Sequence, residues 1–432
     1  MNFFLDCIYI ALLIVGAPFI LAKRKLRRGL WVRLRAAIGA GRLKLDPARK
    51  TILVHCVSVG EVAASVSLVK MLEESFPEYQ VVVSTTTPQG METARKRMPE
   101  NALTYFPLDL SFGVARFLDR ISPSLVVLME LEAWPNFLRA CRLRKVPVVL
   151  ANGRLTELSL QRYLKASFFS REVFSLIDRY LIQNDEYKER FLRLGVPEKK
   201  ISVAGNIKYD SVRTEPDIER TRRFAELFGL DPSMLILIGG STYAEEERAL
   251  AKMYKKLKTS YPRLRLILAP RQVHRLDELK SILDEAELKY ALRSSLDKER
   301  PGDISERVII LDTVGELSDV YALGSVVFVG GSLVDRGGHN IVEPAALGIS
   351  TVFGPNTYNF NESTRFLLNS LAAIMARDAS ELEEIIDKLL SNPETRRKLG
   401  GNAAAAVMKQ KGAVEKHVSE ISRFIRCAAC AV

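Results

Sequence analysis

The chain has 432 residues, 47% of them hydrophobic and 26% charged, with a formal net charge of +12. That length suggests two to three cores of about 150 residues each and argues against a single domain. Five scattered cysteines exclude a disulfide framework, and four dispersed histidines exclude a clustered zinc site.

The first predicted element is an apolar run, residues 7–22 (CIYIALLIVGAPFILA), sixteen residues without a charge. A full bilayer span needs about 20, and Pro18 breaks the run. The segment is therefore expected to be a single N-terminal membrane anchor that either spans the bilayer or inserts shallowly. Between Lys23 and Lys50 there are eleven Lys/Arg against one acid, Asp46. These charges follow the apolar run instead of preceding it, which argues against a cleaved secretory signal. Retained on the cytoplasmic side, they put everything after residue 23 in the cytoplasm, with the basic flank against anionic lipid headgroups. So local an excess also argues against nucleic acid as the partner.

From residue 51 onward, short apolar runs alternate with helical patterns. The predicted strands are 51–57, 80–86, 102–107, 125–130, 146–152, 180–184 and 201–206. Runs this continuously apolar are buried on both faces, as in a parallel sheet covered by helices. The charged stretch 213–223, with Pro216, reads as an interdomain linker, and a second set of strands follows at 234–241, 264–270, 307–313, 325–332 and 350–355. The expected fold is α/β, with two Rossmann-like doubly wound domains facing a cleft at the carboxyl ends of their strands. The domains are read as an anchor and basic segment, 1–50, an N-terminal domain, 51–212, and a C-terminal domain, 213–432. No G-x-G-x-x-G opens a helix after the first strand and no G-x-x-x-x-G-K-[ST] occurs, so dinucleotide oxidoreductases and P-loop NTPases lose ground.

Two segments carry candidate chemistry. The first strand runs into His55-Cys56-Val57-Ser58-Val59-Gly60-Glu61, which sets Glu61 in the first turn of a helix. The dipole there favours an ionised carboxylate, which suits either a proton acceptor or a plain capping residue. The second segment is 328–348, FVGGSLVDRGGHNIVEPAALG. Gly330, Gly331, Gly337 and Gly338 allow close backbone approach to an anion, and a helix starting near Asn340 directs N–H groups at a phosphate. Glu343 in that first turn would repel phosphate, so it suits ribose hydroxyls or simply complements the helix dipole. Cys427 and Cys430 have C-x-x-C spacing at the C-terminus, with no second pair, and read as tail.

Read together, HCVSVGE (55–61), STTTPQG (84–90), MELEAWPN (129–136), ANGRL (151–155), GNIKYD (205–210), APR (269–271), DTVGEL (312–317), GGSLVDRGGHNIVEPAA (330–346) and GPNTYNF (354–360) resemble the Kdo transferases. That family attaches 3-deoxy-D-manno-octulosonic acid to the lipid A precursor, lipid IVA, in lipopolysaccharide synthesis. The resemblance implies a glycosyltransferase B fold and an inverting, metal-independent transfer from CMP-Kdo at the inner membrane. It implies Glu61 as general base, with Glu130 and Lys208 stabilising the transition state. An ammonium suits negative charge on the leaving CMP phosphate or the Kdo carboxylate, whereas Glu130 either favours an oxocarbenium ion or orients another group, and Glu132 competes with it. Pro270, Arg271, Val314, Gly315, Glu316, Asn340, Ile341, Val342 and Glu343 are implied to bind the nucleotide. Where the family often reads Ser-Thr-His-x-Gly-Glu-Glu, this chain has Tyr243 for the histidine and Glu245 for the glycine. Another sugar-nucleotide transferase or epimerase of the same fold would differ in its donor.

Overall fold

The computed structural model describes residues 3–37, 43–296 and 307–429, and the chain divides into two compact units. The first unit comprises Met1–Ser211 together with Gln410–Val432, and the second Val212–Lys409.

In the first unit, β1 (Lys50–Cys56), β2 (Tyr79–Thr85), β3 (Ala102–Tyr105), β4 (Pro123–Met129), β5 (Val148–Gly153), β6 (Arg179–Ile182) and β7 (Ile201–Val203) form one parallel sheet. Its order is β3-β2-β1-β4-β5-β6-β7. The continuous apolar runs follow from burial on both faces. Ile52, Val54 and Cys56 of β1 enter one hydrophobic cluster, while Leu53 between them enters the other. Strand order reverses direction between β1 and β4, and a doubly wound sheet opens its ligand crevice at the carboxyl ends of such a pair.

The second unit repeats the plan with β8 (Leu235–Thr242), β9 (Leu264–Pro270), β10 (Tyr290–Leu292), β11 (Val308–Ile310), β12 (Val326–Val329), β13 (Ser350–Phe353) and β14 (Ile374–Met375), all parallel. Here the order is β10-β11-β9-β8-β12-β13-β14, and the reversal falls between β8 and β12.

Two sequence expectations change. The C-terminal segment does not stay with the second unit. In the helix Ala413–Ala429, the residues Ala413, Val414, Val418, Ile421 and Ile425 enter the core of the first unit, so apolar burial draws the end of the chain back there. Nor is residues 1–50 a separate segment, because α1 (Phe3–Ala22) and α2 (Arg24–Ala37) are packed on the first unit. A Cβ on Gly113 would lie 2.8 Å from the Ala37 Cβ, so a glycine is what lets α2 approach so closely. Asp6 accepts hydrogen bonds from the Ser111 N–H and from Asn136 Nδ2, both at 3.0 Å.

Among the described residues no helix is long and apolar enough to cross a membrane. The uncharged run in α1 reaches about 24 Å at 1.5 Å per residue, against roughly 30 Å of hydrocarbon. Arg42 of the basic flank and Cys430 of the C-x-x-C pair lie outside the described residues.

Candidate active site

At the carboxyl end of β1 the chain enters α3 (Val59–Ser75) through a reciprocal cap. Ser58 Oγ accepts the Glu61 N–H at 3.2 Å, and Glu61 answers by accepting the N–H groups of Ser58 at 3.2 Å and Val57 at 2.8 Å. The capping role is thus realised, yet a carboxylate has about four lone-pair sites and two remain. The hydroxyls of Thr86 and Thr85 donate to the Val57 carbonyl at 3.2 and 3.4 Å, so STTTPQG braces the loop that aims Glu61. Burial is the main cause that pushes the Glu61 pKa up, and the charge of Glu130 adds to it while the Val57 N–H pulls it back. The helix dipole expected to keep this group readily ionised is outweighed by burial.

Glu130 is the first residue past β4, with φ of +56°, a conformation that a side chain other than glycine adopts only where its surroundings enforce it. Its Oε1 accepts from Lys208 Nζ at 2.8 Å, and its Oε2 lies 3.7 Å from Arg154 NH1. Between the two roles left open for Glu130, the geometry supports orientation of another group, because it fixes the ammonium of Lys208. Glu132 is the third carboxylate here. Burial and then the charge of Glu61 push its pKa up to about 8, although Arg33 pulls against them.

Sequence reasoning missed the share of the N-terminal helices in this region. Arg33, counted with the basic flank, turns inward. Its guanidinium donates to the Pro107 carbonyl at 3.0 Å and lies 5.0 Å from the Trp134 ring centroid. Asp109 is buried and accepts the N–H groups of Asn136 at 3.0 Å and Phe137 at 2.9 Å, capping a helix, Pro135–Leu143, whose own N-cap residue, Trp134, supplies no side-chain cap. Tyr9 of α1 donates to the same carboxylate at 3.3 Å. The Asn of MELEAWPN was a signal for this joint, but its partner Asp6 lies 130 residues away in sequence.

In the second unit the glycine-rich loop follows β12, and its first two glycines serve a different anion from the expected phosphate. The Glu246 carboxylate accepts N–H groups from Tyr243 at 3.0 Å, Gly331 at 2.8 Å, Ser332 at 3.0 Å and Leu333 at 3.0 Å. A Cβ on Gly330 would lie 2.7 Å from Glu246 Oε2 and equally from the Ser241 carbonyl oxygen and Thr242 Cα, so the close approach is to this internal carboxylate and to the end of β8. Gly337 and Gly338 both have positive φ, and their turn packs on Tyr358 and Asn359 of GPNTYNF.

Beyond them Asn340 Oδ1 accepts the Val342 N–H at 3.1 Å, and Asn340 Nδ2 donates to Glu343 Oε1 at 2.9 Å at the start of the helix Val342–Ala346. Burial pushes the Glu343 pKa up. Pro270 and Arg271 stand at the end of β9, while Val314, Gly315 and Glu316 follow β11, so all the expected nucleotide residues fall on the carboxyl edge of one sheet. The Glu316 carboxylate is engaged by Thr313 and by Arg293 at 3.1 Å.

The departure at Tyr243 has a definite setting. Its ring stacks on His339 at 5.9 Å with 12° between planes, and the guanidinium carbons of Arg336 and Arg275 lie 5.5 and 5.8 Å from its centroid. An aromatic ring beside two cations suits this position, whereas Glu245 stands exposed in the first turn of the helix Ala244–Ser260, where no glycine is required.

Residues 32–211 match the family model described as 3-deoxy-D-manno-octulosonic-acid transferase (kdotransferase). A 3-deoxy-D-manno-octulosonic acid transferase of Haemophilus influenzae is 32% identical over 381 residues, covering 88% of this chain and 88% of that protein. The enzyme of the same name from Chlamydophila psittaci is 31% identical over 431 residues, 99% of this chain and 97% of its own. Among solved structures, a glycosyltransferase from Rickettsia africae superposes with a TM-score of 0.55 at 12% identity, covering 87% of this chain and 99% of that one, a likeness of fold.

Proposed function

Because the chain belongs to the 3-deoxy-D-manno-octulosonic acid (Kdo) transferase family, it is a glycosyltransferase that transfers Kdo, and we propose that it carries the sugar from CMP-Kdo to the lipid A precursor, lipid IVA, with inversion. The observation that carries this reading is the buried Glu61 carboxylate at the sheet's switch point, with the Lys208–Glu130 ion pair on the neighbouring strand end.

Glu61 takes the proton of the acceptor hydroxyl as its oxygen attacks the anomeric carbon of Kdo, and the bond to the CMP phosphate breaks with its electrons leaving on CMP. A base with a raised pKa accepts that proton more readily. Lys208, held by Glu130, offsets negative charge on the Kdo carboxylate or the departing phosphate. Arg271 pairs with the phosphate, Glu343 accepts from the ribose hydroxyls, and Asn340, Ile341 and Val342 offer the backbone of the helix start. Pro270, Val314, Gly315 and the Glu316 backbone flank the nucleotide. CMP is a monophosphate, so no diphosphate needs bridging by a divalent cation, and the transfer runs without one.

The protein works at the cytoplasmic face of the inner membrane. The exposed side chains of Leu12, Ile14, Val15 and Phe19 on α1 support insertion into the interface, with the exposed basic residues of the flank against anionic headgroups. The test is nucleotide release with lipid IVA and a panel of sugar nucleotides: CMP is released from CMP-Kdo alone. Equal turnover of a UDP-sugar refutes the donor assignment.

A further inference from the structure

Lys208 lies in a one-turn 3-10 helix, Ile207–Tyr209, and a flexible ammonium on a short turn needs the turn itself to be fixed. The chain's last described helix does this from both sides. On one side Asp210, which follows the turn, accepts the N–H groups of Gly412 at 2.8 Å and Val414 at 2.6 Å, where the helix Ala413–Ala429 begins.

On the other side runs a buried polar chain. The His417 Nδ1–H donates to the Ala413 carbonyl at 2.7 Å, and His417 Nε2 accepts the Asn152 N–H at 2.9 Å. A carbonyl only accepts and an amide N–H only donates, so these two bonds fix the tautomer. Burial pushes the His417 pKa down to about 4, which keeps the ring neutral and Nε2 an acceptor.

Asn152, at φ of +54°, passes the constraint on. Its Oδ1 accepts the Ile207 N–H at 3.1 Å, and its carbonyl accepts from Gln183 Nε2 at 2.9 Å. Gln183 Oε1 accepts from Asn206 Nδ2 at 3.2 Å, and Asn206 Oδ1 accepts the Lys208 N–H at 3.1 Å. His417 and Asn152 are fully buried, and Gln183 and Asn206 nearly so. Asn152 Nδ2 is buried without a partner, while the linking atoms named above are paired, and at that depth each broken link strands a further polar group without water.

We propose that His417 is a positioning residue for the transfer, acting through Asn152 to fix the turn that presents Lys208, so that the C-terminal helix belongs to the acceptor-side machinery. This rests on the role given to Lys208 above.

The experiment is a double-mutant cycle on the full-length enzyme with CMP-Kdo and lipid IVA, following kcat and KM separately. His417→Leu is expected to lower kcat about tenfold with donor KM within about twofold, because orientation is lost and not ground-state binding. His417→Gln, whose Oε1 replaces the Nε2 acceptor, should restore kcat to within about threefold. In a Lys208→Ala background His417→Leu should change kcat less than about twofold.

The same factor in both backgrounds, or no rescue by glutamine, overturns the positioning role. If Lys208→Ala alone keeps wild-type kcat, the assignment of Lys208 fails first, which is a distinguishable result. Should His417→Leu not fold, Gln183→Met breaks the same chain beyond Asn152 and is read in the same cycle against the same two outcomes.

Discussion

Lys208 Nζ donates to Glu130 Oε1 at 2.8 Å, joining a residue past the last strand of the first sheet to one past its fourth strand. The pair should behave as a unit. Glu130→Gln and Lys208→Ala are each expected to lower kcat by about a hundredfold, the scale of losing one preorganised electrostatic group, and the double variant little further. Multiplying effects in the kinetic cycle would show that the two act independently.

Glu61→Gln keeps an amide oxygen able to accept one of the backbone N–H groups at the cap, so the protein should still fold and bind CMP. Its turnover should fall by roughly a hundredfold or more, the contribution of a general base. Near-normal kcat would take Glu61 out of that role.

The carboxylates also set a pH profile. Burial raises the Glu61 pKa, and the base must be ionised to act, so kcat/KM should rise with pH through a value above the ordinary glutamate figure of about 4.3. Glu132, pushed up to about 8, is protonated at neutral pH, and its ionisation adds a second negative charge near Glu61. Activity toward the anionic donor should therefore fall as pH rises past that value, and Glu132→Gln should remove the alkaline break while leaving the acid limb within about half a unit. An unchanged alkaline break in the variant would assign it elsewhere.

In the second unit, Glu246→Ala strands four loop N–H groups and should cost at least about 3 kcal/mol by thermal or denaturant unfolding, together with most of the CMP affinity. Arg271→Ala and Glu343→Ala should weaken CMP binding in calorimetry without that loss of stability, while EDTA leaves turnover unchanged. Dependence on added Mg²⁺ would contradict the metal-free reading.

The fold was readable because the determining signal is local. Runs such as Val81-Val82-Val83 and Leu125 to Leu128 state burial on both faces, and both parallel sheets follow. What was not readable depends on pairs distant in sequence. The glycines after β12 signal close approach to an anion, but a local pattern does not say that the anion is Glu246, 85 residues earlier. The helix Ala413–Ala429 shows an apolar face without naming the sheet it covers, and Arg33 looks like any residue of a basic run until Trp134 is beside it. Glu61 was singled out by its place in the first turn of a helix, while Glu130 and Lys208 were named through the family resemblance. Their arrangement, with Glu130 holding the lysine, came from the structure.

The most direct measurement is mass spectrometry of the lipid product after the intact enzyme is incubated with CMP-Kdo and lipid IVA, with Glu61→Gln in parallel. The account predicts lipid IVA carrying one or more Kdo residues for the intact enzyme, and acceptor left almost unmodified by the variant over the same time. Unmodified acceptor with intact, folded enzyme, or equal conversion by Glu61→Gln, would contradict it.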